Sequence, residues 1–226
     1  MYAKYWKRAI DFFLSLTALM VLSPILLVLT VLGAIKMKGN PFFTQLRPGK
    51  NEKIFKLIKF RSMTCEKDKD GNLLPDEQRL TRYGKILRST SLDELPELIN
   101  ILKGDMSIVG PRPQLVRDMV FMTSQQRVRH SVRPGLTGLA QVSGRNSITW
   151  EEKFEFDLQY INDGITLWKD IKILFMTVGK VFRREDTVRD GTVSDMDFGD
   201  WLLQKGEVTE ETYEARQKEA RELLGV

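Results

Sequence analysis

From Phe12 to Ile35 the chain runs without a charged residue, and Leu, Val, Ile and Phe dominate it. As a helix rising about 1.5 Å per residue such a run is about 36 Å long, enough for a bilayer core of about 30 Å. It exceeds the apolar region of a secretory signal and leads into Lys36-Met37-Lys38 rather than a small-residue cleavage site. Two features sit badly with a straight crossing. Ser23-Pro24 stands at the middle of the run, where proline removes a backbone hydrogen bond and bends a helix. Both flanks are basic, with Lys4, Lys7 and Arg8 before and Lys36 and Lys38 after, so the positive-inside rule gives no direction of crossing. A bent helix that enters and leaves by one face satisfies both, with the Ser23 hydroxyl serving carbonyls freed at the bend. The residues alone leave re-entrant and spanning helices both open.

Downstream, Lys38 to Lys53 reads as a polar stretch, and Ile54 to Phe60 alternates apolar and basic residues as a short strand does. Glu66 to Gln78 is a charged loop around an Asp70-Gly71-Asn72 turn. Thr81 to Arg88 predicts a helix. Asp93 to Leu102 predicts a better one: Leu95, Leu98, Ile99 and Leu102 recur at helical spacing, Ser91 and Glu94 are spaced as a capping box, and Gly104 ends it. The stiff turn Gly110-Pro111-Arg112-Pro113 precedes a helix near Gln114 to Ser124, and the Gly-rich stretch Arg133 to Arg145 is a loop or broken segment. Thr149 to Tyr160 predicts a helix capped by Thr149 and Glu152. Leu167 to Arg183 sets Leu167, Trp168, Ile171, Leu174, Phe175, Val178 and Phe182 along one stripe, with Lys169, Lys172 and Lys180 elsewhere. That suits either a core-facing helix or one lying in the lipid interface. Thr209 to Leu224 is a charged helix closed by Gly225, and predicts packing or partner contact rather than chemistry.

Composition alters this picture mainly by exclusion. The 226 residues suit one domain of ordinary size, or one domain plus a small appendage. One Cys excludes a disulfide framework and a Cys-rich zinc site, and one His excludes His-rich metal sites and two-His catalysis. A net charge of +5 points to an anionic partner. Nucleic acid fits poorly, because 35 basic residues are interspersed with 30 acids and form no aromatic-interleaved stripe. A mean hydropathy of −0.26 is that of a soluble protein. The average misleads, since the apolar residues are concentrated near the start.

No Gly-rich loop followed by Lys-Ser/Thr occurs, and no dinucleotide fingerprint follows a strand. Cys65 beside the charged loop reads as a bland thiol, and His130 as structural or phosphate-side. Two features remain. Asp93-Glu94 opens a predicted helix, where backbone N–H groups favour negative charge and would keep Asp93 ionised. Basic residues cluster near turns and element ends: Lys59, Arg61, Arg88, Arg112, Arg133 and Arg145. First-turn carboxylates commonly just stabilise a helix, and scattered Arg are commonly solvated. Together they make a device in which one carboxylate attacks phosphorus, a second holds Mg²⁺ and cations neutralise phosphoryl oxygens. Spacing leads to a membrane-attached, phosphoryl-handling protein and no further.

Longer motifs go beyond spacing. Lys59-Phe60-Arg61-Ser62-Met63, Ser91-Leu92-Asp93-Glu94-Leu95-Pro96-Glu97-Leu98 and Asn100-Ile101-Leu102-Lys103-Gly104-Asp105-Met106-Ser107 occur in that order. Val109-Gly110-Pro111-Arg112-Pro113, Arg133-Pro134-Gly135-Leu136-Thr137-Gly138 and Ala140-Gln141-Val142-Ser143-Gly144-Arg145 follow. From its first residues to about Arg184 the chain resembles the bacterial sugar transferases, the monotopic phosphoglycosyl transferases that begin lipid-linked glycan assembly. The resemblance implies transfer of sugar-1-phosphate from a UDP-sugar to undecaprenyl phosphate, giving a polyprenyl-diphosphosugar and UMP. It makes Asp93 the nucleophile of a phosphosugar-enzyme intermediate and Glu94 the Mg²⁺ ligand. Pro111, Arg112 and Pro113 would hold the nucleotide, and Lys59, Arg88, Arg145 and Asp157 would complete the substrate pocket. It also favours a re-entrant helix broken at Ser23 and Pro24. One departure is visible: relatives often carry Trp where Leu139 stands, which puts in doubt any aromatic contact there.

The expected fold is α/β, mostly helical, with short strands and interfacial amphipathic helices. Residues 1–37 form the re-entrant membrane helix, 38–184 the catalytic domain and 185–226 a helical extension with no assigned role. Partners are the UDP-sugar, undecaprenyl phosphate and membrane phospholipid, with a homodimer left open. The expected location is the bacterial inner membrane, catalytic domain on the cytoplasmic face. A transferase of bare sugar would release UDP instead of UMP. A membrane-anchored scaffold would need neither Asp93, Glu94 nor Mg²⁺.

Overall fold

The computed structural model describes residues 1–144, 148–183 and 196–225, with side chains to residue 180 in the second stretch. It is mostly helical, with two small sheets among the described residues, as the sequence predicts. A π-helical turn, Tyr2–Trp6, leads into helix α1, Lys7–Lys36, which carries Pro24 in its interior. Proline has no N–H for the Met20 carbonyl four residues back. Ser23 Oγ donates to that carbonyl at 2.7 Å, the compensation expected at the proline, and the helix runs on to Lys36.

Strand β1, Phe42–Pro48, pairs antiparallel with β2, Ile54–Phe60, in the register Phe42↔Phe60 to Pro48↔Ile54. The polar stretch expected over Lys38 to Lys53 therefore contains a strand. Its alternation is masked because Gln45 and Arg47, on the face of Leu57 and Phe55, fill positions a core strand would give to apolar residues. On β2 the period of two puts Phe55, Leu57 and Lys59 on one face, and Phe55 and Leu57 are buried. The Glu66 to Gln78 loop turns at Gly71, which has φ 85°, while Asp68 Oδ1 accepts from the N–H of Asp70 and of Asn72. It ends in the single-turn helix α2, Asp76–Arg79. Helix α3, Arg82–Ser89, starts where predicted, with the Thr81 side chain accepting from Gly84 N.

The next segment departs from expectation. Leu92–Glu94 is a 3₁₀ turn, and the regular helix α4 spans only Glu97–Lys103. Ser91 makes no side-chain cap and sits at φ 55°. The capping box fails because Ser91 lacks the extended backbone of an N-cap and Glu94 is drawn to cations instead. Gly104 ends α4 at φ 95°, as expected. Asn100 docks α4 on the hairpin, accepting from Ile58 N at 3.1 Å and donating to the Lys56 carbonyl at 2.8 Å.

Strand β3, Ser107–Val109, is followed by two single-turn helices, α5 (Val116–Met119) and α6 (Ser124–Arg127), in place of the one helix expected there. Strand β4, Gly135–Thr137, lies parallel to β3, and helix α7 spans Leu139–Ser143. Helix α8, Trp150–Asn162, carries the predicted capping box of Thr149 and Glu152. Helix α9 spans Leu167–Arg183. Its core contacts come from Ile173 and Leu174, while Trp168, Phe175 and Val178 are exposed by 78%, 75% and 53%. Most of the predicted apolar stripe therefore faces outward, though Leu174 packs inward; Phe182 falls outside the described side chains.

Helix α10, Phe198–Lys205, was not predicted, and α11, Glu210–Leu224, was. Phe198 and Leu202 pack into one cluster with Met122, Trp150 and Phe154. The Phe198 N–H donates to Asp118 Oδ1 at 2.9 Å, and the other oxygen of Asp118 accepts from Leu115 N. Asp118 thus joins the C-terminal helices to the segment after Pro113.

Helix α1 packs along this domain for most of its length. Arg8 donates to the carbonyls of Ile101 and Leu102, capping α4, and Asp11 accepts from Ser107 Oγ and Ile108 N. Further along, Leu19, Leu22 and Leu26 join the core clusters, and Tyr83 Oη donates to the Leu29 carbonyl at 2.9 Å. The opposite face exposes Phe13, Val21, Leu27, Val28, Val31 and Ile35. Tyr2–Lys36 is the one stretch among the described residues long and apolar enough to cross a membrane.

Candidate active site

A cleft of 1170 Å³ opens between the β1–β2 hairpin, the Leu92–Glu94 turn and the α8 and α10 helices. Lys59, Arg61, Arg88, Asp93, Glu94, Arg112 and Asp157 all line it, so residues far apart in sequence converge. The period of β2 turns Lys59 toward α4, where its Nζ lies 2.8 Å from Glu94 Oε1 and 3.1 Å from Glu97 Oε1. Arg112 reaches the same Glu94 oxygen at 2.6 Å. Burial alone would raise the Glu94 pKa, but Arg112 and Lys59 outweigh it and hold the carboxyl well below its usual range.

Asp93 differs from its neighbour. No hydrogen bond or ion pair to a described residue ties its carboxylate. Burial is the main force raising its pKa, the adjacent Glu94 charge adds to it, and Lys59, Arg88 and Arg112 oppose them. This runs against the helix-terminus effect expected from the sequence, because Asp93 stands in the 3₁₀ turn ahead of Pro96 rather than at the start of α4. The pair is therefore one clamped carboxylate beside one loose, more basic carboxylate. Glu97, which sequence reasoning missed, is pushed up to about 7, chiefly by burial.

Arg112 is placed by backbone. Gly110 N donates to the Thr137 carbonyl and Gly135 N to the Pro111 carbonyl, both at 2.9 Å. A Cβ on Gly135 would lie 2.1 Å from Gly110 N, so only glycine allows the two segments to cross. Pro111 and Pro113 are buried and stiffen this crossing, and only Arg112 of the three lines the cleft. Arg129, also missed, donates to the Arg112 carbonyl at 2.6 Å and to Asp157 Oδ2 from two nitrogens, at 2.7 and 2.9 Å. Asp157 thereby reaches the turn through Arg129. Arg88 lines the cleft and donates to Ser62 Oγ at 3.0 Å. Arg133 stays apart, with its Nε on the Gly104 carbonyl. Arg145 lies outside the described residues. His130 is buried against Glu52 and does not line the cleft, and burial with Arg129 and Arg127 lowers its pKa to about 3. Ser23 and Pro24 stand on α1, away from this cleft.

A carboxylate pair among cations, Glu94 buried and Asp93 half-buried, on a domain edged by a long apolar helix, is equipment for anionic substrates at a membrane. Residues 2–184 match the family described as bacterial sugar transferase. The chain belongs to this family. It is thus an enzyme, as the motifs implied, and its apolar helix marks it as membrane-associated. Among the relatives of this sugar transferase is the uncharacterized sugar transferase EpsL of Bacillus subtilis, 48% identical, with 79% of this chain and 88% of EpsL aligned. The UDP-glucose:undecaprenyl-phosphate glucose-1-phosphate transferase of Klebsiella pneumoniae is 42% identical over 78% of this chain and 40% of its own length. The undecaprenyl-phosphate galactose phosphotransferase of Salmonella typhimurium is 37% identical over 81% of this chain and 42% of its own. The transferase therefore spans most of EpsL but less than half of the Klebsiella pneumoniae and Salmonella typhimurium relatives, whose names give a reaction.

Proposed function

We propose that this sugar transferase moves a sugar-1-phosphate from a UDP-sugar to undecaprenyl phosphate, releasing UMP and beginning the assembly of a lipid-linked glycan. The observation that carries the reading is the asymmetry of the carboxylate pair: Glu94 is clamped by Lys59 and Arg112, whereas Asp93 is loose and more basic. A loose, desolvated carboxylate among cations is suited to attack phosphorus. An Asp93 oxygen bonds to the phosphorus bearing the sugar, and the bond from that phosphorus to the bridging oxygen breaks. UMP leaves with the electron pair, and Lys59, Arg88 and Arg112 offset the charge as it shifts. In the second step an oxygen of undecaprenyl phosphate attacks the same phosphorus and expels the Asp93 carboxylate, giving the polyprenyl-diphosphosugar. One carboxylate thus serves a soluble donor and then a lipid acceptor, in ping-pong order.

Mg²⁺ fits this arrangement. Lys59 and Arg112 both use Glu94 Oε1, which leaves Glu94 a second oxygen for a cation. No group of three or more His, Cys, Asp or Glu side chains able to hold a metal occurs among the described residues. Mg²⁺ needs none, since one or two carboxylates with substrate phosphates and water suffice. Bound at Glu94, it would neutralise diphosphate charge.

The reaction is tested by incubating the full chain with undecaprenyl phosphate and a panel of UDP-sugars. UMP should appear with one or a few of them, dependent on added Mg²⁺. Release of UDP would mean transfer of the bare sugar and overturn the scheme.

A re-entrant α1, with both ends on the cytoplasmic face of the inner membrane, completes the proposal. It is supported by contacts of the domain with α1 from Arg8 to Leu29, since a crossing helix would leave the domain within a turn or two. The exposed apolar face of α1 and that of α9, with Trp168 and Phe175, would lie in phospholipid. Single cysteines at Lys4 and Lys38, in a chain carrying Cys65→Ser, should react with an impermeant thiol reagent from the same side of sealed vesicles. Labelling from opposite sides would establish a spanning helix.

A further inference from the structure

The cations of the cleft are not equivalent. Lys59 and Arg112 are engaged by Glu94, and Lys59 also by Glu97. Arg47 also lines the cleft, yet no carboxylate of a described residue comes within ion-pair distance of it. One guanidinium nitrogen donates to the neutral Gln45 Oε1 at 2.7 Å, and its Nε is buried with no hydrogen-bond partner. Burial lowers its pKa to about 10, and the like charge of Arg112 is the next cause. Asp118 and Glu97 act on it only from beyond ion-pair distance, and burial with Arg112 outweighs them. A largely desolvated guanidinium beside a second one, with no ion pair, costs free energy in the ligand-free protein. Such an arrangement persists where a ligand brings the missing anion.

The hairpin register locates that anion. Arg47 pairs with Phe55, so it shares the sheet face of Phe55, Leu57 and Lys59. Lys59 is four residues from Phe55, or about 13 Å along the strand at roughly 3.3 Å per residue. Lys59 meets the carboxylates beside Asp93, and Arg47 stands at the other end of the same face. Arg112, on the Glu94 carboxylate next to Asp93, is close enough to Arg47 for their charges to repel. A diphosphate with its reacting phosphorus at Asp93 would therefore bring its second phosphate toward the Arg47 guanidinium. Only a fork with several N–H groups can grip two oxygens of one phosphate while keeping its bond to Gln45.

We propose that Arg47 is a donor-binding residue that holds the phosphate departing with the nucleotide. The assignment rests on the reaction proposed above. As the bond to the bridging oxygen breaks, negative charge grows on this phosphate, and Arg47 meets it without reorganisation.

Arg47→Gln and Arg47→Lys in the full chain test it. Arg47→Gln should raise the donor KM and the UMP inhibition constant together, each by about 10- to 100-fold, the size of a lost charge-assisted hydrogen bond. The KM for undecaprenyl phosphate should not move. Arg47→Lys should recover part of the loss, having the charge but not the fork. Without ligand, Arg47→Gln should melt at or above the wild-type temperature, because an unpaired buried charge has gone. UMP should raise the melting temperature of the wild type and not of this variant. Unchanged donor KM and UMP inhibition would overturn the proposal. So would a ligand-free melting temperature that falls while UMP affinity stays wild-type, which is a structural role. A rise in acceptor KM alone would assign Arg47 to the lipid phosphate and overturn the donor assignment. Failure of the underlying reaction looks different: the wild-type protein itself would release UDP or no nucleotide.

Discussion

Asp93→Asn is expected to lower turnover by at least about a thousandfold, the scale on which loss of an attacking group is felt. The amide keeps the shape of the side chain and removes the charged oxygen that would bond to phosphorus. With UDP-sugar alone, mass spectrometry should find one phosphosugar on the wild-type protein, at Asp93, and none on the variant. The fold should survive, because the Asp93 carboxylate makes no hydrogen bond to a described residue and its burial is a cost rather than a support. An unchanged melting temperature with lost turnover therefore separates chemistry from structure. Glu94→Gln should differ, since it disturbs the oxygen shared by Lys59 and Arg112 and moves donor affinity and stability together. Normal turnover by Asp93→Asn, or an adduct on another residue, would sink the covalent scheme.

The contrast between these neighbours was only half legible in the sequence. Their adjacency and the surrounding motifs mark Asp93-Glu94 as a site, and the period of β2 aims Lys59. What separates them is tertiary: Arg112 arrives on a turn 18 residues later. The capping-box spacing of Ser91 and Glu94 misled for the same reason, because a buried ion pair outcompetes a local cap. Where local chemistry meets no such rival it was read correctly, as with Thr149 and Glu152 on α8, the Gly104 stop and the Ser23 bond at Pro24. Strand β1 was hidden by the polar residues it turns to the cleft, and the same polarity conceals Arg47. Helix α10 was missed because its apolar residues, Phe198 and Leu202, fill only one short face against Trp150 and Phe154. Arg129 carries no sequence signal at all. Its importance lies in two partners, one 17 residues before it and one 28 after.

Arg129→Met is the second large effect, and it decides what Asp157 does. Arg129 and Asp157 have side chains only 2% and 4% exposed, and two guanidinium nitrogens converge on one carboxylate oxygen. Burial still raises the Asp157 pKa against the pull of Arg129, so the carboxylate depends on its partner. Removing the cation strands a buried charge, which costs about 3–5 kcal/mol. In a chain of this size that should lower Tm by about 10 °C. The Arg112 carbonyl loses its donor as well, so the turn that carries Arg112 to Glu94 loosens and the donor KM rises by about tenfold or more. The double variant Arg129→Met with Asp157→Leu removes both charges and should recover most of the lost Tm, since an apolar pair can replace a buried ion pair. Its donor KM should stay high, because the Arg112 carbonyl is still unserved. Asp157→Asn keeps Arg129 on that carbonyl and should leave the donor KM near wild type. If Asp157→Asn instead raises the donor KM at an unchanged Tm, Asp157 touches the substrate directly and its link through Arg129 is secondary. If Arg129→Met melts like the wild type, the buried pair does not hold the turn at all.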